Sequence, residues 1–404
     1  CALDGHNVLI HSPNITLNED STDHTEFSNY FDLDGDQLVW MNTWAERKIE
    51  EKLVRNRIYL MNLSDNTTMM IAETPDIHHE YAFRPPIPLS GRFVVFSEAM
   101  NNNLFLYDTV TGRETSLTSD GSAPDVQREN AFPDLDGDRV VWSKRKPYGS
   151  AGDLDIVFMN LSTGVSRDIC ILLGDQKEPA LSGQRIVWTD TRNEPEGGDI
   201  YLYDMGTGTE TAVCTERGLQ QRPKISGNSV VWMDYRDGNP AVYVYNISYG
   251  RETRISRDNF VADAPLLSGN LVVWQEYSVF DRRDERMGSI VVFDTAAGTR
   301  EILPTGTVFP QLLAVDDNRI LYANPDEKTL EEGFIHLFEM DIHEPPSPPA
   351  VVTPLLITAT ETPAMVFGPA KTVTQSAPGS PAAIPVLFIA LTIIFHTRTW
   401  LGKK

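Results

Sequence analysis

The chain contains little cysteine and little positive charge, and both shortages exclude classes of protein. Three cysteines in 404 residues, with no C-x-x-C pair, exclude a disulfide framework and give no zinc motif. Only ten residues are lysine, and 34 Lys+Arg stand against 57 Asp+Glu, a net charge of −23. Because phosphate neutralisation requires clustered Lys and Arg, the sequence predicts no nucleic-acid binding.

The charge is distributed unevenly along the chain. Residues 345–404 hold one acidic and four basic residues, which leaves a net charge of −26 on residues 1–344. From Pro345 to Pro381 the chain is rich in Pro, Thr and Ala and lacks strand or helix periodicity. We therefore predict a folded domain over 1–344 and a disordered Pro/Thr-rich stalk over 345–381.

An apolar run follows the stalk and ends in basic residues. Residues 382–395 would give a helix of about 21 Å against roughly 30 Å of hydrocarbon, so spanning requires the turns through Leu401. This predicts a transmembrane anchor over 382–401, a basic cytoplasmic tail over 402–404 and an external N-terminal domain. Because the run is short and contains Pro385, a buried or interfacial helix is the alternative. Cys1 is compatible with a lipidated residue, with a cleaved signal or with an incomplete reading frame.

One sequence unit recurs seven times in residues 1–344. The common pattern is a hydrophobic residue, a Ser/Asp-Gly turn, β-branched residues and an aromatic, as in Pro179 to Trp188, and the last copy, which ends at Tyr322, is degenerate. A second β run such as Asp199 to Asp204 follows, and then a shorter one such as Arg251 to Ser256. The seven aromatics are Trp40, Phe96, Trp142, Trp188, Trp232, Trp274 and Tyr322.

Four short strands in about 45 residues are typical of a β-propeller blade. The sequence therefore predicts an all-β fold, a seven-bladed β-propeller of four-stranded blades. The last unit lacks its closing strand, and Asn14 to Asn18 precedes the first unit as such a strand would. We expect this N-terminal strand to close the ring and remove open edges.

Two copies carry a further motif, Trp188-Thr-Asp190-Thr-Arg192 and Trp232-Met-Asp234-Tyr-Arg236. With the Asp199-Ile-Tyr201 strand that follows, these units resemble the WD40-like repeats of TolB-type β-propellers and those of archaeal cell-surface proteins. The resemblance covers residues 14–341 and implies the fold more strongly than the function. It supplies no catalytic residue.

Most conspicuous residues have structural interpretations. The seven aromatics end β-branched runs, which favours packing between blades over a sugar-stacking platform. Asp32-x-Asp34-Gly-Asp36 and its copy at Asp134 resemble the start of a calcium loop, but a hydrophobic strand follows, which favours a tight turn. Neither a metal site, a cofactor site nor a catalytic set is predicted. Four residues near the inner-strand prolines are expected to face the channel, namely Asn130, Lys177, Gln221 and Asp263.

Two further residue types fit the repeat. Cys170 and Cys214 each precede a turn glycine by 13 residues, so they occupy equivalent places on neighbouring blades and are too far apart for a disulfide. Sequons permit N-glycans if the domain is external, at Asn14, Asn62, Asn66, Asn160 and Asn246.

Loop length predicts where a ligand binds. Strand-to-strand turns at one end of each blade are tight, whereas the connections at the other end vary, as in Met41 to Asn56 and Gln275 to Gly288. Variable loops on a rigid scaffold are common binding sites. The candidate ligand-binding residues are Trp44, Arg47, Lys144, Arg145, Tyr148, Arg236, Tyr277, Arg282 and Arg283.

The leading hypothesis is a membrane-anchored cell-surface propeller that binds a protein or envelope polysaccharide without catalysing a reaction. The first alternative is a lyase or hydrolase that acts on polysaccharide at the channel mouth. The second is a structural component of a surface layer.

Overall fold

The computed structural model describes most of the repeat region and nothing beyond residue 340. The described residues are 3, 5–11, 30–48, 51–76, 86–97, 103–118, 130–145, 153–193, 197–278, 288–306, 310–324 and 334–340. For residues 11, 43–48, 51–55 and 74–76 only the backbone is described. The chain divides into two units, 1–344 and 345–404, and the predicted stalk, anchor and tail lie outside the described residues. Within the described ranges, no helix has the length and apolarity needed to cross a membrane.

In the described part of the chain, twenty-eight strands form seven antiparallel sheets of four strands each. Blade 1 comprises β2 (Phe31–Asp34), β3 (Gln37–Lys48), β4 (Glu51–Asn62) and β5 (Thr67–Asp76). Blade 2 comprises β6 (Leu89–Ser90), β7 (Phe93–Ser97), β8 (Leu104–Asp108) and β9 (Arg113–Ser116). Blade 3 comprises β10 (Asn130–Asp136), β11 (Arg139–Arg145), β12 (Leu154–Asn160) and β13 (Val165–Cys170). Blade 4 comprises β14 (Gln176–Ser182), β15 (Arg185–Asp190), β16 (Asp199–Asp204) and β17 (Thr209–Cys214).

The three remaining blades have the same order. Blade 5 comprises β18 (Gln220–Ser226), β19 (Ser229–Asp234), β20 (Ala241–Asn246) and β21 (Arg251–Arg254). Blade 6 comprises β22 (Phe260–Ser268), β23 (Leu271–Ser278), β24 (Gly288–Asp294) and β25 (Thr299–Ile302). Blade 7 comprises β26 (Gln311–Asp316), β27 (Arg319–Ala323), β28 (Phe334–Met340) and β1 (Gly5–His11).

The first strands of successive blades, from β2 to β26, pack side by side, and β26 packs against β2. These strands therefore surround a central channel. The predicted all-β, seven-bladed architecture with four-stranded blades is confirmed.

The outer strand of blade 7 comes from the start of the chain. β1 pairs antiparallel with β28, from Gly5 opposite Met340 to His11 opposite Phe334. The segment expected at this place, residues 14–18, lies outside the described residues. The strand that forms the pairing is thus an earlier segment than the one the sequence indicated.

The aromatic that recurs in each sequence unit is buried in each blade. Trp40, Trp188, Trp232 and Trp274 are completely buried, and Phe96, Trp142 and Tyr322 are nearly so. Trp232 of blade 5 belongs to one cluster with Val187 and Ile200 of blade 4. The predicted role in packing between blades is confirmed.

The two ends of the blades differ in their connections. Two-residue turns join the first strand to the second, and this end is called the tight-turn face; the opposite end is called the long-loop face. The predicted loop from Met41 to Asn56 is wrong, because β3 and β4 continue through it as a hairpin with Lys48 opposite Glu51. The backbone N–H and C=O groups of this stretch are satisfied by pairing between β3 and β4.

Hydrogen bonds between neighbouring turns hold the tight-turn face together. At six blade junctions, the Ser or Asp before one turn accepts a hydrogen bond from the backbone N–H of the next blade's turn. Examples are Ser90 to Gly137 (2.9 Å), Asp136 to Gly183 (2.5 Å) and Asp316 to Gly35 (2.9 Å). The other three are Asp34 to Gly91, Ser182 to Gly227 and Ser268 to Asp317. The Ser/Asp-Gly turn is thus both a turn and a joint between blades.

Candidate functional site

Three charged side chains line the middle of the channel on alternate blades. Asp32, Asp134 and Lys224 each pair with the valine that precedes the aromatic of their blade, at Val39, Val141 and Val231. All three side chains interact electrostatically although blades 1, 3 and 5 are not neighbours. Because such an interaction requires a shared space, these side chains face the channel.

The two channel carboxylates also join neighbouring inner strands. Asp32 Oδ2 accepts a hydrogen bond from the N–H of Leu89 at 2.8 Å, and Asp134 Oδ2 accepts one from Leu181 at 2.7 Å. Asp34 and Asp136 make the corresponding joints at the turns described above. The motif that resembles a calcium loop therefore connects blades, which extends the predicted turn role.

Burial changes the acidity of the channel carboxyls. Desolvation raises the pKa of Asp32 to about 7, and the hydrogen bond from Leu89 only partly opposes this effect. Desolvation also raises the pKa of Asp134, against the opposing influence of Lys224. A carboxyl with a pKa near 7 can hold or release a proton at neutral pH.

Five inner strands shift register at their start, near the long-loop face, and four of them do so with a β-bulge just before or at a proline. The register of β10, β14, β18 and β22 shifts just before Asp134, Ala180, Lys224 and Leu266. The residue before the proline has a positive φ in every case, at Phe132 (52°), Glu178 (55°), Arg222 (55°) and Ala264 (50°). Glycine would adopt this conformation without the cost of about 1–2 kcal/mol that a Cβ brings. The bulges instead present side chains at the channel mouth.

Glu178, Arg222, Tyr235 and Asp263 form a group at this end, here called the mouth cluster. Glu178 is fixed by two donors, Thr189 Oγ1 at 3.0 Å and the backbone N–H of Arg222 at 2.9 Å. The Arg222 guanidinium lies 4.0 Å from Glu178 Oε1 and 4.0 Å from Asp263 Oδ1. Its side chain is 52% exposed, so it lies loosely between two carboxylates.

Tyr235 completes the cluster from the loop after β19. Its hydroxyl accepts a hydrogen bond from Gln221 Nε2 at 3.3 Å. Desolvation, followed by the charge of Asp263, raises the pKa of Tyr235, so the phenol stays neutral and can donate a hydrogen bond to a ligand. The mouth cluster therefore offers two carboxylates, one guanidinium and one hydroxyl.

Three of the four expected channel residues are near this cluster. Gln221 and Asp263 contribute to it, and the half-buried Lys177 precedes Glu178. Asn130 is an exception, because it is buried and accepts a hydrogen bond from Trp142 Nε1 at 2.9 Å. Its position corresponds to Gln176 and Gln220 in the next two blades, one residue earlier than Lys177 and Gln221.

The Trp-x-Asp-x-Arg motif builds a rigid base under the long-loop face. In blade 4, Asp190 accepts a hydrogen bond from Trp188 Nε1 at 2.8 Å and pairs with Arg192 at 2.5 Å. Arg192 also pairs with Glu210 at 2.6 Å and stacks 4.1 Å above the ring of Tyr201. These contacts take up both the buried carboxylate and the guanidinium that pairs with it.

Blade 5 repeats this arrangement. Asp234 accepts from Trp232 Nε1 at 3.0 Å and pairs with Arg236 at 2.6 Å, while Arg236 pairs with Glu252 at 2.8 Å. Arg236 was a candidate ligand-binding residue, but its described contacts give it a structural role. The motif that carried the family resemblance is therefore a packing motif.

Blade 6 replaces the motif with a different ion cluster. Glu276 is 2% exposed and takes the place of the motif aspartate. It pairs with Arg257 at 2.7 Å and with Arg300 at 2.5 Å, so one cation comes from the connection between β21 and β22 and the other from β25. The charge of the buried Glu276 carboxylate is therefore neutralised although no arginine follows two residues later.

The other candidate ligand-binding residues differ in how far the structure describes them. Lys144 is exposed at the end of β11, and Arg145 follows it. Tyr277 accepts a hydrogen bond from Gln275 Nε2 at 2.5 Å near the end of β23. Trp44 and Arg47 lie on the extended hairpin, opposite Arg55 and Lys52, with only their backbone described. Three candidates lie outside the described residues, namely Tyr148, Arg282 and Arg283.

The cysteines occupy the equivalent places expected from the repeat. Cys170 and Cys214 end β13 and β17, opposite Ile156 and Ile200, and both are free and buried. Burial raises the pKa of Cys170 to about 11 and that of Cys214 to about 12, so neither is a reactive thiolate at neutral pH. Among the side chains that the structure describes, no group of three His, Cys, Asp or Glu could hold a metal ion.

No protein-family model matches the chain, and no curated protein matches it by sequence. Solved structures do match. A puromycin-hydrolyzing peptidase of Mycobacterium tuberculosis is 16% identical with a TM-score of 0.55, over 73% of this chain and 49% of that chain. A puromycin hydrolase is 15% identical with a TM-score of 0.55, over 77% of this chain and 52% of that chain.

A TolB of Agrobacterium tumefaciens is 15% identical with a TM-score of 0.45, over 72% of this chain and 99% of that chain. The chain spans about half the length of the two puromycin-cleaving proteins and nearly all of this TolB. At these identities the likeness is one of fold. Together with the seven four-stranded blades, the likeness to the two puromycin-cleaving proteins supports the β-propeller fold that the repeats indicated.

Proposed function

We propose that this TolB-like propeller is a non-catalytic binding or scaffold module whose ligand occupies the long-loop face. The observation that supports the proposal is the contrast between its two faces. The tight-turn face uses its Ser and Asp side chains for joints between blades. The long-loop face carries the β3–β4 hairpin, the mouth cluster and the exposed Lys144 on a base of buried ion pairs.

The ligand we propose is a protein or an envelope polysaccharide outside the cell. The proposal of an external position rests on the sequence beyond residue 344, where a Pro/Thr-rich stalk precedes the apolar run over 382–401 and the basic residues 402–404. Recovery of the full chain in the membrane fraction, with its N-terminal region accessible to added protease, is the expected result. Recovery in the soluble cytoplasm would contradict it.

Binding can be assigned to a face with the full chain in detergent. Immobilised glycans and candidate surface proteins are screened first, and each binding partner is then tested with two charge reversals. Lys144→Glu on the long-loop face is expected to weaken binding at least about threefold. Arg113→Glu, also exposed and at the tight-turn end of β9, is the matched control and is expected to leave binding unchanged. The opposite pattern would place the ligand on the other face.

One observation favours a second candidate, an enzyme that acts on polysaccharide in the channel. Asp32, with its pKa raised to about 7 by burial, has the acidity of a general acid at neutral pH. Glycan cleavage by the full chain that is lost in Asp32→Asn would support this candidate. Unchanged cleavage in that variant would remove Asp32 from the reaction.

A further inference from the structure

In the mouth cluster, the protein's own Arg222 guanidinium occupies a position that a ligand could take. Arg222 lies between Glu178 and Asp263 at 4.0 Å from each, beyond hydrogen-bond distance, and its side chain remains 52% exposed. By contrast, Arg192 and Arg236 lie within 2.8 Å of their carboxylates and are 16% and 20% exposed. Arg222 thus occupies its place without the short bonds that hold the structural arginines.

The two carboxylates are positioned independently of the Arg222 side chain. Glu178 is held by Thr189 Oγ1 and by the backbone N–H of Arg222, while Asp263 accepts the N–H of Ala264 at 2.7 Å. Asp263 is 47% exposed, so one side of the pair is open to solvent. Removal of the Arg222 side chain would leave all three of these hydrogen bonds in place.

The charges around Arg222 favour a cation over an anion. The mouth cluster carries two carboxylates against one guanidinium. Residues 1–344 carry a net charge of −26, which attracts basic partners over a distance. A planar guanidinium fits between two carboxylates better than an ammonium does, because it donates to both sides at once.

We propose that the mouth cluster binds an arginine side chain of a basic protein segment, and that Arg222 is a placeholder which this side chain displaces. The inference rests on the proposed binding function of the long-loop face and names the chemistry of the partner there. In the free protein Arg222 reduces repulsion between Glu178 and Asp263. In the complex the incoming guanidinium takes its place, and the Arg222 side chain turns into solvent.

The first test uses the full chain in detergent and a fluorescent tetra-arginine peptide, with the neutral tetra-citrulline peptide as reference. Glu178→Gln combined with Asp263→Asn is expected to lower affinity for tetra-arginine about tenfold, because the guanidinium loses both partners. The matched control, Glu114→Gln with Asp258→Asn, removes the same charge from exposed positions elsewhere and is expected to change affinity less than about twofold. Equal losses in both double variants would show a general charge effect and overturn the proposal.

The second test uses a variant that is expected to raise the affinity for tetra-arginine instead of lowering it. Arg222→Ala is expected to raise affinity for tetra-arginine about three- to tenfold, because the internal competitor is removed. Arg251→Ala changes the net charge equally at an exposed place on β21, and it is expected to raise affinity less than about twofold. Weaker or unchanged binding in Arg222→Ala would overturn the placeholder role, and thermal unfolding of each variant shows whether it is folded.

Failure of the proposed arginine site can be distinguished from failure of the proposed binding function. If Lys144→Glu abolishes binding of a partner found in the screen while the mouth variants leave tetra-arginine binding unchanged, the long-loop face binds and the arginine site is wrong. If Arg113→Glu instead abolishes partner binding, the assignment of the face is wrong as well.

Discussion

The two faces of the propeller both use acidic residues to join blades, but they differ in what else surrounds those residues. On the tight-turn face, Asp34, Asp136 and Asp316 each accept a hydrogen bond from a backbone N–H of the next blade. Their carboxylates therefore link neighbouring blades. On the long-loop face, Glu178 and Asp263 lie beside an exposed guanidinium at 4.0 Å. Glu178 also accepts the N–H of Arg222 in the next blade, so acidic residues join blades at both ends, and the long-loop face adds an exposed guanidinium between two carboxylates.

The difference shows how a repeated unit can combine a uniform scaffold with a variable surface. The joint needs only a short acceptor before a turn, which Ser or Asp supplies in any blade. The long-loop face has no such requirement, and its connections range from the bulge at Arg222 to the hairpin of β3 and β4. Four variants test this contrast, and they follow in order of expected effect on stability.

Asp190→Ala should be the most destabilising change, because it removes the base under the long-loop face. The variant leaves Trp188 Nε1 without its acceptor and Arg192 without its closest carboxylate. Loss of one partner from a buried ion pair costs about 3–5 kcal/mol. Urea unfolding of the full chain measures the change, and Asp258→Ala, at a side chain 83% exposed, should cost less than about 0.5 kcal/mol. A similar loss in both variants would contradict the assignment.

Asp32→Asn should stabilise the protein in a pH-dependent manner. The folded-state pKa of Asp32 is about 7 against an ordinary value of 3.8, so the folded state holds this proton more tightly and loses stability as pH rises from about 4 to 7. Asparagine avoids the buried charge and still accepts from Leu89.

The stabilisation by Asp32→Asn should therefore be near zero at pH 4 and reach at most about 4 kcal/mol above pH 7. Urea unfolding of both proteins at pH 4, 6 and 8 provides the comparison. A difference that stays constant with pH would mean that Asp32 has the same pKa in the folded and unfolded states.

Asp136→Ala tests a joint of the tight-turn face. The variant removes the acceptor of the Gly183 N–H and should cost about 1–2 kcal/mol. Asp136→Ser is the matched control, because Ser90 and Ser182 make the same joint in neighbouring blades. The serine variant should recover most of the lost stability, and equal losses in both would show that the charge matters more than the hydrogen bond.

Shortening the β3–β4 hairpin should have the smallest effect on stability. Replacement of residues 46–53 by Asn-Gly removes three strand pairs, from Glu46 with Leu53 to Lys48 with Glu51, and keeps Ala45 opposite Val54. We expect the free energy of unfolding to change by less than about 1 kcal/mol. A loss above about 3 kcal/mol would show that the hairpin is part of the scaffold rather than a surface element.

The repeat made the scaffold predictable from sequence. Periodic aromatics such as Trp188 and Trp232 mark the second strand of each blade, and their burial follows from the β-branched residues beside them. The equivalence of Cys170 and Cys214 follows from the same spacing. These features depend on local pattern, which a single sequence contains in full.

The candidate site depended on pairing and conformation that local pattern does not contain. The partner of β28 is a strand more than 300 residues away, and sequence reasoning selected residues 14–18 for it instead of Gly5–His11. The residue before a proline ordinarily avoids a positive φ, so nothing in the sequence indicated that Arg222 is part of a bulge. One signal for the site was present, the succession of Glu178 and Arg222 at the same place in consecutive units.

The joints of the tight-turn face also have a direction. At the six junctions where the joint is described, one blade supplies a side-chain acceptor and the next supplies a turn N–H, and the Asp316 to Gly35 bond continues this order from blade 7 to blade 1. Five of the seven blades thus carry both halves of the same joint in the described residues. An internal blade such as residues 176–214 could be removed or duplicated, and the two new neighbours would still match at this end of the molecule.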